Sequence, residues 1–434
     1  MSEFALVGLI GIVVLVAIFF TGLYVAYAMA IVGFVGYAYL INVPAALTLL
    51  SRDMYSVFSS YSLALVPLFI FMGFIAFYAG VSSKLYDMAD KFIGRVRGGL
   101  AMATIVACTA FGAICGSTTA TAATMGTIGL PEMKRFGYGD KLATGAVAAG
   151  GGIGILMPPS VILIIYGILT QLSIGKLFIA GIVPALLIAI LFVLAIIIYC
   201  WFNPDQGPKG KTYPFRDMLY ALGEIWETLL VFVLVMGGMF FGLFTPTKAG
   251  AVGSFSLLVI AMVQGKLSWK NFLNAINDTL KTSCMVIMLV VGATIFGHFL
   301  ALSQIPMNAA NLVGNLNWPG WAIVGVICFI YLVGGCFIDA LALITLTIPI
   351  FYPIISNLGY DLVWFGIIIV LITQMGIITP PVGVNVYIVK GIAQDVPLER
   401  IFIGVLPFLL ALIIGTGIMI AFPDIATFLP ALIR

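Results

Sequence analysis

Gly150-Gly151-Gly152-Ile153-Gly154-Ile155-Leu156-Met157-Pro158-Pro159-Ser160 and Gly376-Ile377-Ile378-Thr379-Pro380-Pro381-Val382-Gly383 interrupt two apolar runs, 140–170 and 361–391. A Pro-Pro pair removes two backbone donors and forces the residue before it out of helical geometry. Each run therefore reads as a helix broken at half depth, with unpaired carbonyls on one side and the positive end of a half-helix on the other. Backbone of this kind survives in hydrocarbon only where it lines a protein-enclosed cavity or binds something. Carbonyls suit a sodium ion, and a half-helix N-terminus suits an anion. One Pro-Pro break would read as a kink. Two at matched positions point to a binding site.

The match extends outward. Pro158-Pro159 recurs as Pro380-Pro381, Gly137-Tyr138 as Gly359-Tyr360, Pro131 as Pro353 and Gly112 as Gly334, all at one constant offset. Nearer each start, Gly22-Leu23 and Val32-Gly33 recur as Gly242-Leu243 and Val252-Gly253, at an offset only slightly shorter. Ten crossings are predicted at roughly 4–20, 24–41, 62–80, 140–170, 177–202, 226–243, 247–264, 280–302, 361–391 and 398–422. Two further stretches, 99–134 and 320–357, are too long for one pass. They carry polar or small residues near their middles and read as re-entrant hairpins, with a pair of full spans in each as the alternative that leaves sidedness unchanged. The expected fold is an all-α polytopic membrane protein of two inverted repeats, 1–202 and 221–434, joined by a cytoplasmic linker, 203–220. Each repeat has five crossings plus one hairpin. Five is odd, so the second repeat enters from the opposite face, as in secondary transporters.

Composition agrees. Of 434 residues, 63% are apolar and 8% charged, against about 25% charged in a soluble domain, and mean hydropathy is +1.22. No stretch is long and polar enough for a soluble catalytic head. The net charge of +3 is small and scattered, which argues against a nucleic-acid partner. The N-terminus lacks the basic region of a cleavable signal, so 4–20 reads as a retained span. Basic residues divide unequally: Arg52, Lys176, Lys248 and Arg434 fall on one face and the other fifteen on the opposite face. Positive-inside asymmetry makes the second face cytoplasmic and puts both termini outside.

The hairpin tips supply side chains. Ser117, Thr118, Thr119 and Thr121 crowd the first, where hydroxyls either cap the returning helix or contact a ligand. Asp339 stands at the second tip, at the repeat position of Ser117. It reads as the one acidic residue deep in the membrane, and an intramembrane carboxylate is a functional candidate by default. Helix capping is its alternative role, and a cation is the better ligand, since a carboxylate repels an anionic substrate. Asn385, just past the second break, either donates to substrate or faces a neighbouring helix. Other features read as structural. The six cysteines lie in apolar runs without Cys-x-x-Cys spacing and read as buried free thiols. His298, the sole histidine, excludes a His-based metal site or triad and reads as hydrogen-bonded packing. Glu224 and Glu227 read as solvated residues at a cytoplasmic span end. Lys84, Asp87, Asp90 and Lys91 lie on an amphipathic segment that reads as an interfacial arm. Gly207-Pro208-Lys209-Gly210-Lys211-Thr212 echoes a phosphate loop, but Asp205 stands where that motif needs Gly.

With these residues in view, the chain resembles the large membrane subunit of tripartite ATP-independent periplasmic (TRAP) transporters along essentially its whole length. The likeness rests on the 116–121 tip, Leu130-Pro131-Glu132-Met133, the 154–160 break, Lys176-Leu177-Phe178-Ile179-Ala180-Gly181, Gly242-Leu243-Phe244-Thr245-Pro246-Thr247 and Thr379-Pro380-Pro381-Val382-Gly383. It implies sodium-driven uptake of a small organic anion, a carboxylate or sulfonate, across the bacterial inner membrane by an elevator motion of transport parts against a scaffold. It also implies two partners, a small four-span membrane subunit and a periplasmic substrate-binding protein. One sodium site is then expected between Ser117, Thr119 and the Gly154–Pro158 break. The other is expected between Gly335, Asp339 and the Gly376–Thr379 break. Substrate is expected between the tips, with Thr118, Pro159, Ser160, Pro381 and Asn385 as contacts. A proton-coupled transporter of the same architecture is the alternative. An enzyme is not expected, because no nucleophile is paired with a base.

Overall fold

The computed structural model describes residues 3–315 and 318–432; Arg434, counted above on the outer face, lies outside them. The described residues form an all-α protein, with one isolated bridge between Arg97 and Lys209. Six helices are individually long and apolar enough to cross a bilayer, and a seventh span results if the bent pair Phe215–Glu224 and Trp226–Phe240 counts as one. Several other expected crossings are short. Glu3–Phe19 has 17 residues and Val25–Leu40 has 16, about 25 Å each at ~1.5 Å per residue. Large apolar side chains such as Val13, Phe20, Phe255 and Val263 face outward, as lipid contact requires.

Both hairpins expected from sequence are helix pairs. Gly99–Cys115 turns at Gly116-Ser117 into Thr118–Arg135, and Gly320–Gly335 turns through 336–339 into Ala340–Asn357. The first turn needs glycine twice over. Gly116 has φ +61°, and a Cβ there would lie 2.3 Å from the carbonyl oxygen of Pro159. Both interrupted runs are broken helices: Asp140–Gly152 resumes at Val161–Thr170, and Leu362–Gly376 resumes at Val384–Ile392. Ser160 restarts the first by accepting a hydrogen bond from the Leu163 N–H at 3.4 Å, and both Pro-Pro peptide bonds are cis. The broken helices run antiparallel and in contact. Asn385 Nδ2 donates to Ala148 O at 3.0 Å, Gln374 packs on Gly152, and Tyr166 Oη donates to Leu362 O at 2.6 Å.

The 203–220 stretch is pinned to one face of the molecule. Gly98 N–H donates to Gly207 O, Gly139 N–H to Gln206 O and Gly210 N–H to Gly94 O, at 2.9, 3.0 and 2.8 Å. It also contains the start of a helix, Phe215–Glu224. The amphipathic segment before the first pair is helical over Val81–Ile93.

Four readings need correction. Glu227 is 2% exposed, not solvated. It pairs with the Lys84 ammonium, accepts from Gln264 Nε2 at 2.5 Å and lies 3.7 Å from Lys266 Nζ. Two ammonium groups and an amide replace the water it would lose. Asp339 is not the one acid held inside: its side chain is exposed to the cavity at the tip, whereas Asp53 is 4% exposed, with Oδ2 2.7 Å from His298 Nδ1. Asp53 belongs to Val43–Phe58, an amphipathic helix absent from the expected crossings because it contains no long apolar run. Finally, the cysteines are free but not uniformly buried: Cys284 is exposed and Cys115 half-buried.

Candidate functional site: a cavity between two helix tips

The two tips meet at one cavity of about 420 Å³. Ser117, Thr118, Thr119, Thr124 and Thr127 line it from the first pair, and Asp339, Ala340 and Leu341 from the second. Ile155, Val161 and Ile162 of the first broken helix form its floor. Phe74 and Phe77 close one wall, and Thr282, Met285 and Val286 of the long helix Trp269–Leu302 close another. Among the described residues Asp339 is the only charged side chain in this lining, and no basic residue is part of it. A more open pocket of about 480 Å³, around Asp140 and Arg400, contains none of the expected site residues.

Each tip residue has a definite local job. Ser117 caps its helix, with Oγ accepting from Ala120 N–H at 3.4 Å and lying 3.2 Å from Thr119 Oγ1. Its carbonyl accepts from Thr121 Oγ1 at 2.7 Å. Asp339 caps Ala340–Asn357 by accepting from Leu341 N–H at 3.0 Å. One carboxylate oxygen of Asp339 is thereby oriented by the backbone while the side chain faces the cavity. Negative charge at a helix N-terminus is favoured by the peptide dipoles.

Each tip also touches its own broken helix. A Cβ on Gly154 would lie 2.8 Å from Thr121 Oγ1 and 2.9 Å from Ser117 O, so the first break rests on the first tip. A Cβ on Gly376 would lie 2.5 Å from the carbonyl carbon of Gly335, so the second break rests on the end of Gly320–Gly335. Ser117, Thr119 and Gly154 thus come together, as do Gly335 and Gly376. Pro158, Pro159 and Ser160 are buried behind the first tip. Thr379 donates from Oγ1 to Met375 O at 2.7 Å and lies outside the cavity lining.

The expected substrate contacts do not converge. Thr118 lines the cavity, whereas Pro159 and Ser160 lie behind the first tip, Pro381 is exposed elsewhere and Asn385 is fully buried against Ala148. Asn385 takes the second of its two sequence readings, facing a neighbouring helix. Residues the sequence did not single out fill the vacated places: Thr124, Thr127, Thr282, Phe74 and Phe77. Thr127 lies eight residues after Thr119, on the same helical face, a spacing that could have marked it.

Fold and cavity define a multi-pass helical membrane protein with a largely apolar cavity that carries hydroxyls and one carboxylate between paired helix tips. The model of the tripartite ATP-independent periplasmic transporter, DctM component, matches residues 12–425, and the chain belongs to this family. It is 33% identical over 388 residues to the C4-dicarboxylate TRAP transporter large permease protein DctM of Pseudomonas aeruginosa, covering 89% of this chain and 90% of that protein. It is 32% identical over 419 residues to the sialic acid TRAP transporter large permease protein SiaM of Vibrio cholerae, covering 95% and 96%. Among solved structures, the YdaH transporter of Alcanivorax borkumensis superposes with a TM-score of 0.63 over 88% of this chain and 90% of that one. At 14% identity that likeness concerns the fold alone.

Proposed function

We propose that this chain is the transport subunit of a sodium-coupled uptake system for a small organic anion in a bacterial inner membrane. The observation that carries the reading is the shared cavity, where both tips meet and which, among the described residues, no basic side chain lines. An anion there is met by hydroxyls, by the positive N-terminal end of the helix starting at Thr118, and by whatever cation binds with it. Sodium held at Ser117, Thr119 and Gly154, and at Gly335, Asp339 and Gly376, supplies that positive charge. Relatives named for C4-dicarboxylate, sialic acid and isethionate transport support the substrate class.

In this reading the halves 1–202 and 221–434 are inverted repeats with ten crossings, and the helix pairs are re-entrant. The pairs and broken helices move as one elevator body against the remaining scaffold. The cavity wall Phe74–Phe77 lies just before Lys84, and Thr282 lies beside Lys281. By charge asymmetry both are near the cytoplasmic ends of their helices, so the cavity corresponds to an inward-facing form. A small membrane subunit and a periplasmic binding protein complete the system.

Proteoliposomes holding this chain, the small subunit and the binding protein should accumulate the organic anion under an inward sodium gradient. Replacing sodium by choline should abolish uptake. Equal uptake in choline driven by a proton gradient would favour the proton-coupled alternative, and vigorous uptake by this chain alone would count against the tripartite reading.

A further inference from the structure

The polar residue at the crossing of the two broken helices has no role in the site described above. Gln374 is fully buried, and neither its Oε1 nor its Nε2 has a hydrogen-bond partner. A methyl group added to Gly152 would come within 2.8 Å of Gln374 Cγ and 3.0 Å of Nε2, so the amide lies against the last turn of Asp140–Gly152. Asn385 packs on Ala148, one turn earlier on the same face, and its Oδ1 is likewise buried without a partner. Three orphaned polar atoms therefore border the end of one broken helix. A buried amide without partners is destabilising, and leucine or methionine would fill the same space without that cost.

The location gives the amide a use. Gly152 and Gln374 are related by the same sequence offset as the two Pro-Pro pairs, so this contact joins equivalent points of the two breaks. Two residues beyond Gly152, Gly154 rests on the first tip. Two residues beyond Gln374, Gly376 rests on the second pair. Gln374 is thus the polar side chain that bridges the two candidate cation sites. It stands beside helix ends whose carbonyls lack intrahelical partners.

We infer that Gln374 is a positioning residue that couples the two cation sites. When a cation draws the carbonyls of one break toward itself, the free amide re-pairs with the adjoining helix end and transmits the shift to the other break. The inference rests on the sodium reading proposed above.

Sodium-dependent thermal stabilisation of the purified chain with its small subunit tests it, using Gln374→Met and Gln374→Glu. Wild type should show a sigmoidal sodium dependence, with a Hill coefficient above one and bounded by two for two sites. Gln374→Met keeps the volume and removes the amide. Without sodium it should be at least as stable as wild type, but its Hill coefficient should fall to about one. Gln374→Glu replaces the amide by a carboxylate that has no N–H donor for the helix-end carbonyls, so its curve should flatten as well. An equally steep Met variant would overturn the inference and leave the sodium reading standing. A Glu variant as steep as wild type would overturn it too, because the amide N–H donor would then not be what couples the sites. A wild type that does not respond to sodium would remove the underlying reading and the inference with it.

Discussion

Ser117 and Asp339 occupy equivalent positions of the two halves, at the starts of two returning helices, and each accepts a first-turn N–H while facing the same cavity. Capping and ion binding are compatible in this geometry, so the informative substitution preserves one and removes the other. Asn caps as well as Asp, and Asp339→Asn keeps shape and a carbonyl oxygen while losing the charge. Loss of a charge-assisted contact, roughly 1.5–3 kcal/mol, should weaken sodium binding about tenfold to a hundredfold. Uptake should fall at low sodium and partly recover at high sodium. A normal sodium curve for folded Asp339→Asn would remove the carboxylate from coupling. Cys115 offers a second reading of the same place, since it lines the cavity and is half-buried. With the exposed Cys284 replaced by Ser, a small methanethiosulfonate should modify Cys115, and sodium with substrate should slow the reaction severalfold. Modification indifferent to both would mean that the ligand sits elsewhere.

At the scale of elements, one carboxylate ties the arm Val81–Ile93, which also packs on Phe215–Glu224, to the second half. Glu227 gathers Lys84 from the arm with Gln264 and Lys266 from the turn after Pro246–Val263. Removing the charge leaves two partly buried ammonium groups facing each other. Breaking a buried pair from one side costs about 3–5 kcal/mol, so Glu227→Gln should lower the unfolding temperature in detergent by several degrees. The half-exposed neighbour Glu224 should tolerate the same change with little effect. Equal, small effects at both positions would show that the cluster does not hold the arm. The breaks, tips and arm were legible in sequence because Pro-Pro, a capping Ser or Asp, and a 3.6-residue period are local signals. Glu227 was misread because its partner Lys84 lies 143 positions away. The Phe74, Phe77 and Thr282 walls went unnoticed for another reason. A membrane helix is apolar on nearly every side, so no period marks the side that meets a cavity. Asn385 was left open because a polar residue in such a helix can serve either a ligand or a neighbour, and only the contact with Ala148 distinguishes them.

For the whole molecule, orientation governs what the cavity means, because the inward-facing assignment depends on which face is cytoplasmic. The structure makes this testable at one position. Backbone hydrogen bonds join the turn at Gly94 and Gly98, the start of the first broken helix at Gly139, and the linker at Gln206, Gly207 and Gly210. These segments therefore share a face, together with Arg95, Arg97, Lys141, Lys209 and Lys211. In the proposed topology that face, which collects fifteen basic residues against four, is the inner one. Gly210 is a poor site for a probe, since a Cβ there would lie 2.8 Å from Gly94 O, whereas Asp205 is exposed. Asp205→Cys, with Cys115 and Cys284 replaced by Ser, should resist a membrane-impermeant thiol reagent applied to intact spheroplasts. The same variant should react readily in inverted vesicles. The reverse pattern would turn the molecule over. The cavity beside Phe77 and Thr282 would then open outward, and the first helix pair would enter from the periplasmic side.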